Sequence, residues 1–199
     1  LKNEIIKNGG KINLNNTVTG FNNKNFKINE LKILNKKNKK VSEDTIILSS
    51  LPITLTARLL GYKSDLKFRG VRTVYIEIKK RYALPNKCHW IYYSSKNIIF
   101  NRISEHKKLS KYIAPKNKTY LSAEISYSKG DKIDKITFNK MKDIVINDLI
   151  KVGLVKKKDI GKLSENKEDF VYPVQFTDYK HKLSKVNARI SKYNQIYSL

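Results

Sequence analysis

Cysteine is almost absent. Cys88 is the only one in 199 residues, which excludes an internal disulfide framework and a cysteine-built zinc site, and a reducing compartment fits that usage. No apolar run approaches the roughly 20 residues that a membrane-spanning helix needs. There are three histidines, His89, His106 and His181, and none stands at metal-ligand spacing from another, so no metal site is expected. Cys88 and His89 are neighbours, and neighbours on a strand point to opposite faces, which speaks against a Cys/His nucleophilic pair. The chain contains no G-x-G-x-x-G, no Walker-type phosphate loop and no G-x-S-x-G elbow. Acidic residues number only 17 and are scattered, so no carboxylate pair can be picked out and catalytic residues stay unassigned. The chain opens on Leu1 and a polar amphipathic segment, with no signal peptide. The expectation is that it begins inside a longer protein.

What is present is a globular composition: 40% hydrophobic and 10% aromatic residues, enough for one sizeable domain or two small ones. Lys+Arg total 42, giving a formal charge of +25. Two readings stand side by side. An anionic partner (nucleic acid, an acidic membrane surface or a phosphorylated substrate) would account for the excess. So would a compositional bias toward Lys, Asn and Ile, which places lysines on every exposed surface without any ligand. Arginine is sparse and the lysines form no single stripe, which favours the second.

The organising stretch is Asp44–Ile53. Ile46, Ile47 and Leu48 form a short apolar run, expected to be a strand covered on both faces. Ser49 and Ser50 make a polar turn, Pro52 suits the first turn of a helix, and Gly61 closes that helix. A strand that runs into a polar turn and a helix offers outward N–H groups to an anion. An ordinary buried strand–loop–helix has the same pattern, and pattern alone favours that reading.

Around it, residues 1–8 suit the tail of a helix ended by Gly9-Gly10, and Lys11–Leu14 alternates as a short strand. Phe26–Leu34 reads as a strand with one wet face, and residues 35–40 as a polar tip. Arg72–Lys79 is the clearest alternating strand, with Val74, Ile76 and Ile78 on one face. His89–Tyr93 and Ile98–Ser104 read as two strands joined through residues 94–97, and Thr119–Tyr127 as another strand. Residues 137–152 carry Phe138, Met141, Val145, Leu149 and Val152 at helical spacing, with Thr137 as cap and Gly153 as stop. Phe170–Val174 is extended, with Pro173 marking an edge. Asp178–Lys192 is a second helix that Asp178 can cap, and Asn194–Leu199 begins a last strand. The fold class expected is α+β: a mainly antiparallel central sheet with helices packed on it. The division expected is 1–61, 62–176 and 177–199.

The cluster with most chemical character is Trp90, Tyr92, Tyr93, Phe100 and Arg102. It could line a flat pocket with Arg102 anchoring a carboxylate or phosphate, or be ordinary sheet residues, since aromatics favour strands. Single-stranded nucleic acid would use the same residue types, although no RNP-like Gly-aromatic motif accompanies them.

Three stretches resemble the flavin-dependent amine oxidase superfamily, in its protoporphyrinogen-oxidase-like and UDP-galactopyranose-mutase-like branch. The first is Gly9-Gly10-Lys11-Ile12-Asn13-Leu14-Asn15-Asn16-Thr17-Val18, similar to the family's helix, double glycine, strand and valine. The second is Asp44–Leu60, similar to its D-x-V-I-x-S-x-P strand and following helix. The third runs from His89-Trp90-Ile91-Tyr92 through Phe100-Asn101-Arg102-Ile103-Ser104, Ala114-Pro115 and Tyr172-Pro173 to Asn194-Gln195-Ile196-Tyr197-Ser198-Leu199, and resembles members assigned to cell-surface polysaccharide or lipopolysaccharide synthesis. The resemblance implies an FAD-dependent oxidoreductase or sugar-nucleotide mutase, of which this chain is an internal fragment of the α/β FAD-binding fold plus a substrate domain. It implies FAD contacts at Val18, Ser49, Ser50, Leu51 and Pro52, and substrate contacts at Trp90, Tyr92, Arg102 and Tyr172. Its substrate would be a small molecule such as a nucleotide sugar. Its location would be cytoplasmic, or peripheral at the inner face of the membrane. The family's N-terminal G-x-G-x-x-G unit and C-terminal FAD segment are absent, so the partners expected are the missing flanking segments. The alternative from another class is a basic module that binds nucleic acid or an acidic partner without catalysis.

Overall fold

The computed structural model describes residues 1–198, so Leu199, the end of the expected last strand, lies outside the described residues. The chain divides into two compact units, residues 1–66 with 175–199, and residues 67–174.

The first unit opens with α1 (Lys2–Lys7), which stops at Gly9 with φ +78°. The strand expected at Lys11–Leu14 does not form. Asn16 Nδ2 donates to the Leu14 carbonyl (2.8 Å) and Asn15 takes φ 56°, so local side-chain bonding turns the backbone away from a ladder. β1 (Val18–Lys24) and β2 (Lys27–Ile33) make an antiparallel hairpin, and β3 (Lys39–Lys40) pairs with β2. β4 (Ile47–Ser49) leads through Pro52, the N-cap, into α2 (Ile53–Leu59), and Gly61 follows at φ +81°.

The second unit begins with β5 (Phe68–Ile78), an interior strand of a five-stranded sheet. β6 (Trp90–Tyr92), β7 (Arg102–Glu105) and β8 (Thr119–Tyr127) follow, then α3 (Lys132–Lys135), α4 (Phe138–Lys151) and β9 (Ile160–Pro173). The strand order is β6-β7-β8-β5-β9, and every pairing is antiparallel. Only the end of β9 is legible as extended sequence. The rest is polar edge strand, aligned by its register with β5 rather than by apolar alternation of its own.

Alternation sorts the sheet into two faces. Val74, Ile76, Ile78, Ile103, Leu121, Ala123 and Ile125 form a core with Met141, Val145 and Leu149 of α4. Thr137 caps α4 by accepting from the Lys140 N–H (3.5 Å). Two buried charges brace this unit. Arg72, 2% exposed, donates from Nε and Nη2 to Glu165 (3.2 and 2.6 Å) and from Nη1 to the carbonyls of Ile133 and Ile136 (2.8 and 2.7 Å). Glu105, fully buried, accepts from the Ala83 and Leu84 N–H groups, both at 2.9 Å. Gly70 stands opposite Tyr127, and a Cβ there would lie 2.4 Å from the Tyr127 ring, so the ring occupies the space any side chain would need.

The chain returns to the first unit with α5 (Tyr179–Ile190) and β10 (Ile196–Ser198), which lies parallel to β4. Asp178 caps nothing with its side chain and instead pairs with Lys182 (2.8 Å). Val186, Ile190, Tyr193 and Ile196 join Ile28, Ala57 and Leu60 in this unit's core. Gln195 acts as a piece of strand: its Oε1 accepts from the Ile28 N–H (2.7 Å) and its Nε2 donates to the Ile28 and Ser42 carbonyls (both 3.1 Å). β4 is not covered on both faces as its apolar run suggests. Ile47 turns inward, while Ile46 and Leu48 stay 68% and 66% exposed, because in this unit β4 pairs with β10 alone and only one face meets the core.

Candidate functional site

The first unit holds a cavity of about 370 Å³ at the C-terminal end of β4. Phe21, Leu31, Ile47, Leu48 and Leu59 give it apolar walls, and Asn16, Thr17 and Ser50 add polar atoms. The β1–β2 hairpin and the β4–α2 turn bring these groups together across more than thirty intervening positions. Of the residues expected to hold FAD, Val18, Ser49, Ser50 and Leu51 all line it, whereas Pro52 does not. Ser49 is buried, with its Oγ 2.8 Å from Thr56 Oγ1 and accepting from the Leu51 N–H at 3.4 Å, so its hydroxyl fixes the turn.

The second unit carries the expected substrate residues on the sheet face opposite α4. Directly opposed residues share a face, so the register defines two rows. One runs Tyr92–Arg102–Glu124–Thr73–Asn166, and the other Trp90–Ser104–Ser122–Tyr75–Ser164. Trp90, Tyr92 and Tyr75 are 50%, 66% and 38% exposed. Arg102 donates to both oxygens of Glu124 (2.7 Å each from Nη2, 3.0 Å from Nε to Oε1) and from Nη1 to the Tyr92 hydroxyl (3.1 Å). Those bonds, the Glu124 carboxylate first, push the guanidinium further above its usual pKa. His106 Nε2 lies 2.9 Å from Ser122 Oγ. Glu77 accepts from Lys118 (3.2 Å) and Tyr120 (3.3 Å), and Lys118 foremost holds its carboxyl below the usual 4.5.

Trp90, Tyr92 and Arg102 thus come together, and Tyr172 does not join them. It pairs with Arg69 on β9, at the opposite edge of the sheet, four strand spacings or about 19 Å from β6. Glu124, Tyr75, Ser122 and His106 are the residues that sequence reasoning left out of this group. Tyr75 and Glu124 sit on the wet side of strands that were legible, so their alternation was the available signal. His106 had none, because a short helical turn after β7 brings it back over β8.

No protein-family model matches the chain, and no curated protein matches it in sequence. Solved structures do. Reduced UDP-galactopyranose mutase aligns over 98% of this chain and 43% of its own, with a TM-score of 0.76 and 15% identity. A protein of Exiguobacterium sp. 255-15, provisionally assigned as a protoporphyrinogen oxidase, aligns over 95% and 42% (TM-score 0.69, 15% identity). An oxidoreductase from Methanosarcina mazei aligns over 100% and 46% (TM-score 0.64, 12% identity). The chain therefore has the α+β fold of part of these oxidoreductases and the mutase, and it spans less than half the length of each. Among the described residues no helix is long and apolar enough to cross a membrane, and no group of three or more His, Cys, Asp or Glu is placed to hold a metal ion.

Proposed function

We propose that this chain is the substrate-side part of an FAD-dependent oxidoreductase or sugar-nucleotide mutase. The observation that carries the reading is the cavity at the end of β4, where Val18 meets Ser49, Ser50 and Leu51. Its apolar walls and polar rim suit a flat heteroaromatic end of a dinucleotide, and its size is at the lower end for a ligand pocket. The residues fit one end of FAD only. No glycine-rich turn before a helix is present to grip a pyrophosphate, so that grip would come from sequence flanking these 199 residues. Bound flavin would supply the redox or nucleophilic chemistry. The chain's own residues would wall the cofactor's end and, on the β6–β7–β8–β5 face, orient a small substrate, with a nucleotide sugar the leading class and a role in cell-surface polysaccharide synthesis in keeping with it. Trp90, Tyr92 and Tyr75 would contact it, with Arg102 behind Tyr92; Tyr172 would serve a different part of the sheet.

The test is a visible spectrum of the protein purified with its flanking sequence and no added cofactor, followed by titration with FAD. Flavin bands near stoichiometric amount are expected, and Val18→Arg, which fills the cavity, should lower FAD affinity by at least about tenfold. A colourless protein that also takes up no added FAD would overturn the reading.

A further inference from the structure

The two rows on the outer face of the sheet carry little net charge in a chain of formal charge +25. No lysine stands in either row. Arg102 is the one basic residue there, and Glu124 answers it through three hydrogen bonds of 2.7 to 3.0 Å. The fourth bond of the guanidinium goes to Tyr92. A phosphate or carboxylate could reach Arg102 only by displacing a bidentate carboxylate that is itself 19% exposed, and that exchange strips a charge-assisted pair whose remaining member is left half-buried. Further along the face, Glu77 is answered by Lys118. The groups that remain near Trp90 are the exposed Tyr92 phenol and the half-buried His106 imidazole; Ser104 and Ser122 are buried, the Ser122 hydroxyl lies 2.9 Å from His106, and Thr73 and Asn166 lie further along the rows. Such a face matches a ring that is apolar on one side and carries hydroxyls at its edge: the apolar side meets Trp90, and the edge exchanges hydrogen bonds with the Tyr92 hydroxyl and the His106 imidazole.

We propose that Glu124 sets the ligand class of this face: by holding Arg102 it makes the face a site for the uncharged, hydroxyl-bearing ring of the substrate and turns phosphate and carboxylate groups away, so that the phosphates of a nucleotide sugar would bind off this face. This rests on reading the sheet as the substrate face. Arg102 is then a positioning residue that acts through Tyr92.

Trp90 is the only tryptophan in the chain, so intrinsic fluorescence reports this face directly and needs no flavin. The experiment titrates the 199-residue chain with a panel of methyl hexopyranosides and with the corresponding hexose 1-phosphates, at about 0.15 M salt to screen the diffuse positive field. At least one methyl glycoside should give a saturable change, and its 1-phosphate should bind no more tightly. Glu124→Gln frees Arg102, and it should raise the ratio of 1-phosphate to glycoside affinity about tenfold. The wild-type comparison decides even if the variant does not fold. No response to any glycoside, 1-phosphate binding about tenfold tighter than glycoside in the wild type, or an unchanged ratio in a folded Glu124→Gln chain would each overturn the proposal. A protein that takes up no FAD yet selects the glycoside separates failure of the cofactor reading from failure of this one.

Discussion

The two faces of the five-stranded sheet come from the same strands, residue by residue in alternation, and they are built to opposite specifications. Toward α4 lie Val74, Ile76, Ile103, Leu121 and Ala123, all fully buried. Away from it lie Tyr75, Ser104, Ser122, Glu124 and Trp90. Solubility alone would be served by lysines on the second face, and this chain has them in excess elsewhere. Aromatic rings, hydroxyls and paired charges stand in the two rows instead, and the proposed substrate face rests on that composition.

That contrast can be broken from the core side with the largest effect. Arg72→Met leaves Glu165 without its partner and the Ile136 carbonyl without its donor, and should cost about 3 to 5 kcal/mol in urea unfolding. Met141→Ala opens a cavity between α4 and the sheet, with an expected loss of about 2 to 4 kcal/mol in the same assay. Gly70→Ala forces a methyl group into the Tyr127 ring and should cost about 1 to 3 kcal/mol. On the outer face, Trp90→Ala should change stability by less than about 1 kcal/mol, since half of the side chain is already in water. Calorimetry should nevertheless show glycoside binding lost.

The smallest effect is the pH window. Glu77, Asp134, Asp159 and Asp169 are each held below their usual pKa, chiefly by hydrogen bonds from Lys118, Lys167, Lys80 and Lys129. A depressed carboxyl adds stability above its unfolded pKa and loses it as pH falls through the folded one. Thermal unfolding of the chain should therefore shift downward below about pH 4. Burial and, next, the bond to Asp169 raise the Tyr127 pKa above its usual 10.0, so its contribution is complete below pH 10.0 and is lost above it.

Much of this arrangement was legible in the chain. Strict alternation at Arg72–Lys79 and Thr119–Tyr127 and helical spacing at 137–152 specify the central strands and the helix that covers them, because each element's own side chains carry the signal. Most of β9 was not legible: a polar edge strand gets its register from its neighbour. The exposure of Ile46 and Leu48 was not legible either, since an apolar run states what a strand could bury and not what stands beside it. The cavity residues Val18 and Ser49–Leu51 were reached through resemblance and meet in space, whereas Tyr172, grouped with Trp90 through the same resemblance, lies at the far edge of the sheet. Glu124 was missed because a strand carboxylate gives no sign of its partner until the register sets Arg102 opposite it.

The most direct measurement is amide chemical-shift mapping of the 23.2 kDa chain during titration with the methyl glycoside that quenches Trp90 most strongly. The account predicts perturbations concentrated at Trp90, Tyr92, Arg102, Ser104, His106, Ser122 and Tyr75, with Met141, Val145 and Leu149 unmoved. Perturbations confined to α4, or to residues outside the two outer rows, would contradict it.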